Sequence, residues 1–281
     1  MTVSYSIEMP RARSLLEAAL SRHPPRLDWA ALALCALELP DVDVGSVERQ
    51  LDSLAARVRA LAPSPRDTLA QFQALRRILG DEEAFWGNTD DYSAAENSFL
   101  NLVLERKQGL PITLSVLYLE VARRAGIPLF GVAFPGHFLV ASETGAGKLL
   151  MDPFQGGAIL TETGCADLLS RVSPQVRFAS KMVVPASVKT ITSRMLMNLK
   201  RTYLAAGERE KALRVLELVL MLSPDHPGEL RARANVLSAL GAYRAALADV
   251  ERCLELSPEA PDNVNLRLTA RALRQRVDYL N

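Results

Sequence analysis

The chain has 281 residues, of which 49% are apolar, so one large or two ordinary domains with real cores are expected and disorder is excluded as the main state. With 33 basic and 32 acidic side chains the net charge is +1, which gives no general pull toward nucleic acid or an anionic membrane. The three cysteines, Cys35, Cys165 and Cys253, show no CxxC spacing, which argues against a disulfide framework or a cysteine zinc site and for a reducing compartment.

The opening stretch MTVSYSIEMPRARSLLEAAL has no basic region followed by an apolar one, so no secretory leader is expected. No apolar run of about 18 residues occurs, so no membrane span is expected either. A cytoplasmic protein fits best. Arginine outnumbers lysine 27 to 6, which alongside abundant Ala and Leu reads as coding bias.

The first hundred residues read as helical. Pro10 can start a helix that reaches Arg22 and ends at Pro24-Pro25. Asp28 is placed to cap a helix from Trp29 to Leu37. Val44 to Leu61 carries Val47, Leu51, Leu54, Ala55 and Val58 on one face. Pro63 and Pro65 end it, and Arg66 to Leu79 is a fourth helix. The stretch GDEEAFWGNTDDYS reads as a loop with aromatic anchors, and Ala94 to Arg106 as helix again.

Gly109-Leu110-Pro111 opens a strongly apolar helix, ITLSVLYLEVARRAG, that Gly126 stops. The period then changes from 3.6 to 2. Leu129–Phe134, His137–Ser142 and Lys148–Met151 read as strands, with Glu143–Gly147 as the turn. A short helix near Glu162–Arg171 and a strand near Arg177–Lys181 complete an α+β domain.

Beyond Pro185 the chain is helical and it repeats. Gly207 and Gly241 are 34 residues apart, as are Ala212 and Ala246, Leu213 and Leu247, Leu222 and Leu256, and Pro224 and Pro258. That period, with small residues at helix crossings and Pro after the second helix, is the tetratricopeptide pattern. There is room for two full repeats and a closing helix. Such arrays present surfaces for a protein or peptide partner.

The middle of the chain carries the most specific pattern. Asn97–Leu100 (NSFL), Glu105–Ser115 (ERKQGLPITLS), Ala125–Pro128 (AGIP), Phe134–Leu139 (FPGHFL) and Met151–Phe154 (MDPF) resemble the transglutaminase-like core of the bacterial SirB family. That family joins this core to C-terminal tetratricopeptide repeats. The resemblance implies a mostly helical α+β protein. Residues 1–92 would be a helical lead-in, 93–185 a transglutaminase-like (papain-like) core and 186–281 the repeat helices.

In the wider superfamily a Cys begins the central helix, and a His and an Asp lie on the following strands. The thiolate attacks a carbonyl, the His shuttles the proton and the Asp orients the His. The resemblance puts His137 and Asp152 in the last two roles. If Glu143–Gly147 turns a hairpin, a register that pairs His137 with Asp152 sets Val140 opposite Leu149, and the two side chains share a face. The nucleophile position falls on Pro111, fifteen residues before Gly126. Proline suits a first helical turn but cannot attack a carbonyl.

Three readings of the pair are open: a structural relic, a ligand-binding pocket, or catalysis with a substitute nucleophile such as Thr113 or Ser115. Asn97, Arg106, Pro111 and Gly136 are the candidate binding residues. Arg106 could pair with Asp152 or with a ligand carboxylate. His226 and the Arg123-Arg124 pair read as solvated. No phosphate loop, HExxH or His/Cys cluster is present, so no nucleotide cofactor or metal is expected. The favoured function is a non-enzymatic adaptor. The alternatives are a hydrolase or acyltransferase using His137 and Asp152, and a small-molecule sensor in the core cleft.

Overall fold

A computed structural model describes residues 9–62, 64, 67–145, 147–259, 261 and 263–279. Packing divides the chain into two compact units, Ser14–Met195 and one built on Leu196–Asn281. The fold is α+β and mostly helical.

The lead-in helices are α1 (Pro10–Ser21), α2 (Leu27–Cys35), α3 (Val44–Leu61) and α4 (Thr68–Leu75). Asp43 caps α3 by accepting from the Ser46 N–H at 3.0 Å, and Asp67 caps α4 by accepting from the Ala70 N–H at 2.9 Å. Val47, Leu51, Leu54, Ala55 and Val58 are buried, as their spacing demands. Asp28 does not cap α2, because the helix begins one residue before it. Its carboxylate is instead buried among arginines. The expected breaks at Pro63 and Pro65 and the helix start at Arg66 lie outside the described residues.

The α-helix expected to reach Leu79 ends at Leu75 and passes into a π-helical turn, Arg76–Glu82. The stretch expected to be loop also holds a two-residue strand, β1 (Trp86–Gly87), which pairs in parallel with β2 (Gln108–Gly109). The single helix expected from Ala94 is two pieces, a 3-10 turn Ala95–Ser98 and α5 (Leu100–Arg106). Phe99 between them is extended, with φ −101° and ψ 116°.

Helix α6 (Pro111–Ala125) has Pro at its first turn and ends at Gly126 in the left-handed conformation, φ +79°. Every residue from Pro111 to Ala122 is buried. A helix covered all round belongs in the middle of a core, and α2, α3 and α5 pack against it. A four-stranded antiparallel sheet follows, ordered β3 (Phe130–Val132), β4 (Leu139–Thr144), β5 (Gly147–Asp152) and β6 (Ala158–Leu160). Helix α7 (Glu162–Val172) supplies Cys165, Leu168 and Leu169 to a cluster with Val132, Phe134, Leu139, Ala141 and Leu150.

The hairpin register differs from the expected one by two residues. Val140 pairs with Met151 and Ser142 with Leu149. The strands continue to Thr144 and Gly147, which face each other, so the turn is two residues long instead of five. Its second residue, Ala146, lies outside the described residues. A two-residue shift preserves the facing of every side chain, and it leaves His137 before β4 begins. The strand expected near Arg177–Lys181 is a 3-10 turn at Ser180–Met182. The fourth strand is β6, which carries no strand signal in the sequence.

The repeat helices are α8 (Val188–Ala205), α9 (Arg209–Leu222), α10 (Pro227–Ala239), α11 (Tyr243–Leu256) and α12 (Asn263–Tyr279). Gly207 and Gly241 occupy equivalent turns with φ of +73° and +79°, a backbone that glycine adopts at no steric cost. Ala212 and Ala246, one repeat apart, are fully buried. Leu213 and Leu216 of α9 pack with Ala234 and Leu237 of α10, Ala246 and Val250 of α11, and Ala270 and Leu273 of α12. His226 is exposed, and it also caps α10, with Nδ1 accepting from the Glu229 N–H at 3.3 Å.

Candidate functional site

The chain leaves β3, turns at Pro135–His137 and enters β4. Gly136 makes that turn with φ +70°, and a Cβ there would sit 2.8 Å from the Val172 carbonyl oxygen. The turn delivers His137 to the end of β5. Its Nε2 lies 2.9 Å from Asp152 Oδ1, and both side chains are buried. The same Oδ1 accepts from the Phe154 N–H at 3.0 Å. Against a carboxylate Asp152 the imidazole must donate from Nε2, which leaves Nδ1 as the basic nitrogen. The Phe154 ring stands edge-on to the imidazole at 5.8 Å. Arg194 holds the backbone from the other side, its Nη2 donating to the His137 carbonyl at 2.5 Å. So the two residues do meet, by a turn and a strand end instead of by cross-strand pairing.

Pro111 is the first residue of α6 and is buried. Thr113 in the same first turn is buried, and its hydroxyl oxygen has no hydrogen-bond partner. The Ser115 hydroxyl donates to the Phe138 carbonyl at 3.4 Å. Of the thiols, burial pushes Cys35 and Cys165 up to about 11. Cys253 is raised by the same cause. All three are buried, and none belongs to α6. Attack needs thiolate, and these positions suppress it. Among the described residues no group of three His, Cys, Asp or Glu is placed to hold a metal.

Two binding candidates have other placements. Asn97 is fully buried and ties down the segment before it. Its Nδ2 donates to the Asp91 and Tyr92 carbonyls at 2.7 and 3.3 Å, and its Oδ1 accepts from Asn88 Nδ2 at 3.1 Å. Arg106 is exposed at the end of α5 and does not pair with Asp152, which is buried and engaged by His137 and Phe154. Sequence reasoning missed Asn88 and Arg194, because one polar residue in a loop or on a helix carries no periodic signal. The role of Phe154 was readable only as part of the MDPF string.

Arg124, expected to be solvated, has a side chain only 8% exposed. It donates to Asp28 at 2.6 Å and to Asp52 at 2.9 Å, and it pairs with Glu120. Burial pushes the Asp28 carboxyl up, but hydrogen bonds and charge from Arg26 and Arg124 outweigh that and hold it below its ordinary value. This cluster ties α2 and α3 to the C-terminal end of α6.

A buried helix running into a small antiparallel sheet, with a His–Asp pair at the strand ends, defines a transglutaminase-like core, here followed by a helical repeat array. Comparison with known proteins agrees. The transglutaminase-like superfamily model matches residues 45–197, and a tetratricopeptide repeat model matches residues 199–275. A UPF0162 protein of Xylella fastidiosa is 36% identical over 81% of this chain and 83% of its own length. One from Pseudomonas aeruginosa is 33% identical over 88% of this chain and 90% of its own length. Protein SirB1 of Salmonella typhimurium is 29% identical over 71% of this chain and 76% of its own length. The chain belongs to this SirB family of transglutaminase-like proteins with C-terminal tetratricopeptide repeats.

Proposed function

We propose that the protein is a non-enzymatic adaptor that binds a protein partner through its repeat helices and its remodelled core. The observation that carries this reading is Pro111. It stands at the first turn of α6, where the family chemistry needs a thiol. The three cysteines are buried with raised pKa values, so none supplies a ready thiolate. The repeat unit supports the reading independently. Its closing helix α12 exposes Val264 (67%) and Leu268 (57%), four residues apart and so on one face. An exposed apolar pair on one face of a repeat helix suits a partner.

Affinity capture by the full chain, compared with a Val264→Glu/Leu268→Glu variant of unchanged circular dichroism, tests the reading. A specific partner is held by the first and lost by the second. Identical capture by both, or no specific capture at all, overturns it.

The His137–Asp152 contact at 2.9 Å favours a second reading, a hydrolase or acyltransferase. Thr113 Oγ1 would attack a peptide or amide carbonyl while His137 accepts its proton. The purified protein would then release ammonia or a leaving amine from peptide substrates, and His137→Ala and Thr113→Val would each abolish the release. Equal rates in these variants and the parent end that reading.

A further inference from the structure

Beside the His137–Asp152 pair lies an aromatic and acidic surface that neither reading uses. Its base is the turn that follows β5. The Phe154 ring packs so closely on β1 that a Cβ at Gly87 would fall 2.3 Å from it. Trp86 lies over Gly156, where a Cβ would meet the indole at 2.5 Å. The indole N–H donates to the Gly80 carbonyl at 3.2 Å, yet the residue is 46% exposed. Tyr92 meets Phe154 edge-on at 6.0 Å and is 44% exposed. Two large aromatic side chains are thus fixed on one turn, each with nearly half its surface in water. Burying such rings is worth several kcal/mol in a core, so leaving two of them open is informative.

Along the segment that carries them the unpaired charge has one sign, since Asp81 is matched by Arg76. From Asp81 to Asn97 the chain carries six carboxylates and no Lys or Arg. Glu82 and Glu83 are paired with Arg57, Arg77 and Lys107. Among the described residues Asp90, Asp91 and Glu96 form no ion pair, and all three are exposed. The segment that bears them is held in place. Asn88 Oδ1 accepts from the Asp91 N–H at 3.0 Å, and Asn97 grips the Asp91 and Tyr92 carbonyls. Carboxylates beside exposed aromatic faces attract cations twice, by charge and by the ring quadrupole. The same carboxylates repel phosphate, which disfavours nucleic acid and anionic lipid.

We propose that Trp86, Tyr92, Asp90 and Asp91 form a docking surface for an arginine-bearing extended segment of the protein partner, laid over the turn that follows β5. Guanidinium groups stack on the indole and phenol while the carboxylates take the remaining donors. This deepens the adaptor reading and rests on it: the nonreactive core becomes a peptide-binding face.

The test uses the full chain carrying Trp29→Phe, so that Trp86 is the sole tryptophan and reports directly. The probe is a capped twelve-residue peptide repeating Gly-Arg-Ser, with the Gly-Glu-Ser peptide as control. Saturable change of Trp86 fluorescence with the arginine peptide alone is expected, weakening as salt is raised. Asp90→Asn/Asp91→Asn, at exposed positions where folding is unaffected, weakens it about tenfold, and Tyr92→Ser weakens it further. No saturable change, or equal affinity in the Asn variant, overturns the proposal. Capture of a partner that depends on α12 but not on these residues sinks the docking surface and leaves the adaptor reading standing. No specific capture by the parent chain, together with no saturable peptide signal, sinks the two together.

Discussion

Asp152 does two jobs with one oxygen: it receives His137 and caps the turn at Phe154. Asp152→Ala orphans both donors inside the core, so urea titration should show a loss of about 2–4 kcal/mol. Asp152→Asn keeps an acceptor and should lose clearly less. Asp28 makes a pH prediction. Folding lowers its pKa, so its ion pairs contribute above the ordinary carboxylate range and are lost as pH falls below about 4. Unfolding free energy should therefore drop in the parent as pH falls below the ordinary carboxylate range, and Asp28→Asn, weaker at neutral pH, should show a flatter profile. The thiols are covered and raised, to about 11 for Cys35 and Cys165. A thiol reagent at pH 8 should label the folded chain slowly and the urea-unfolded chain at once. A fast-reacting thiol in the folded chain would reopen cysteine chemistry.

Among the elements, the π-helical turn Arg76–Glu82 shows most plainly what a periodicity argument misses. Apolar spacing of 3.6 predicts an α-helix through Leu79, and no sequence template distinguishes one wider turn from it. This turn meets the one after β5: Gly80 lies so near Gly156 that a Cβ would stand 2.0 Å from its carbonyl oxygen. Gly80→Ala must push the two backbones apart, and thermal melting should report a cost of about 2–3 kcal/mol. By contrast α3 and α6 match their expected bounds, because their signals are local: an Asp cap with an apolar stripe, and Pro and Gly at opposite ends. Strands β1, β2 and β6 are two or three residues long, too short for alternation to show.

At the scale of the whole molecule, the repeat unit is stitched by charge as well as by its apolar seam. Arg233 of α10 donates to both oxygens of Asp249 on α11 at 2.8 and 2.6 Å, and to Glu217 on α9 at 2.9 Å. Removing one partner of a mostly covered pair is the costly direction. Arg233→Ala should cost about 3 kcal/mol, and hydrogen exchange should speed up in α9, α10 and α11.

By itself the sequence determined what depends on neighbours along the chain. The 34-residue period specified the helical repeats, since each helix packs on the next and the same contacts recur. The FPGHFL and MDPF strings singled out His137 and Asp152, and Pro111 at the start of the central helix carries the proposal that this core is nonreactive. The tertiary structure decided what depends on residues far apart. It set the hairpin register, through a turn tighter than composition implied. It buried Asp28 and Arg124, 96 residues apart, where Asp28 alone reads as a helix cap and Arg124 alone as a solvated charge. It also gathered Trp86, Tyr92 and Phe154 around one turn. Burial and register are properties of packed pairs, and a single chain position carries only half of each.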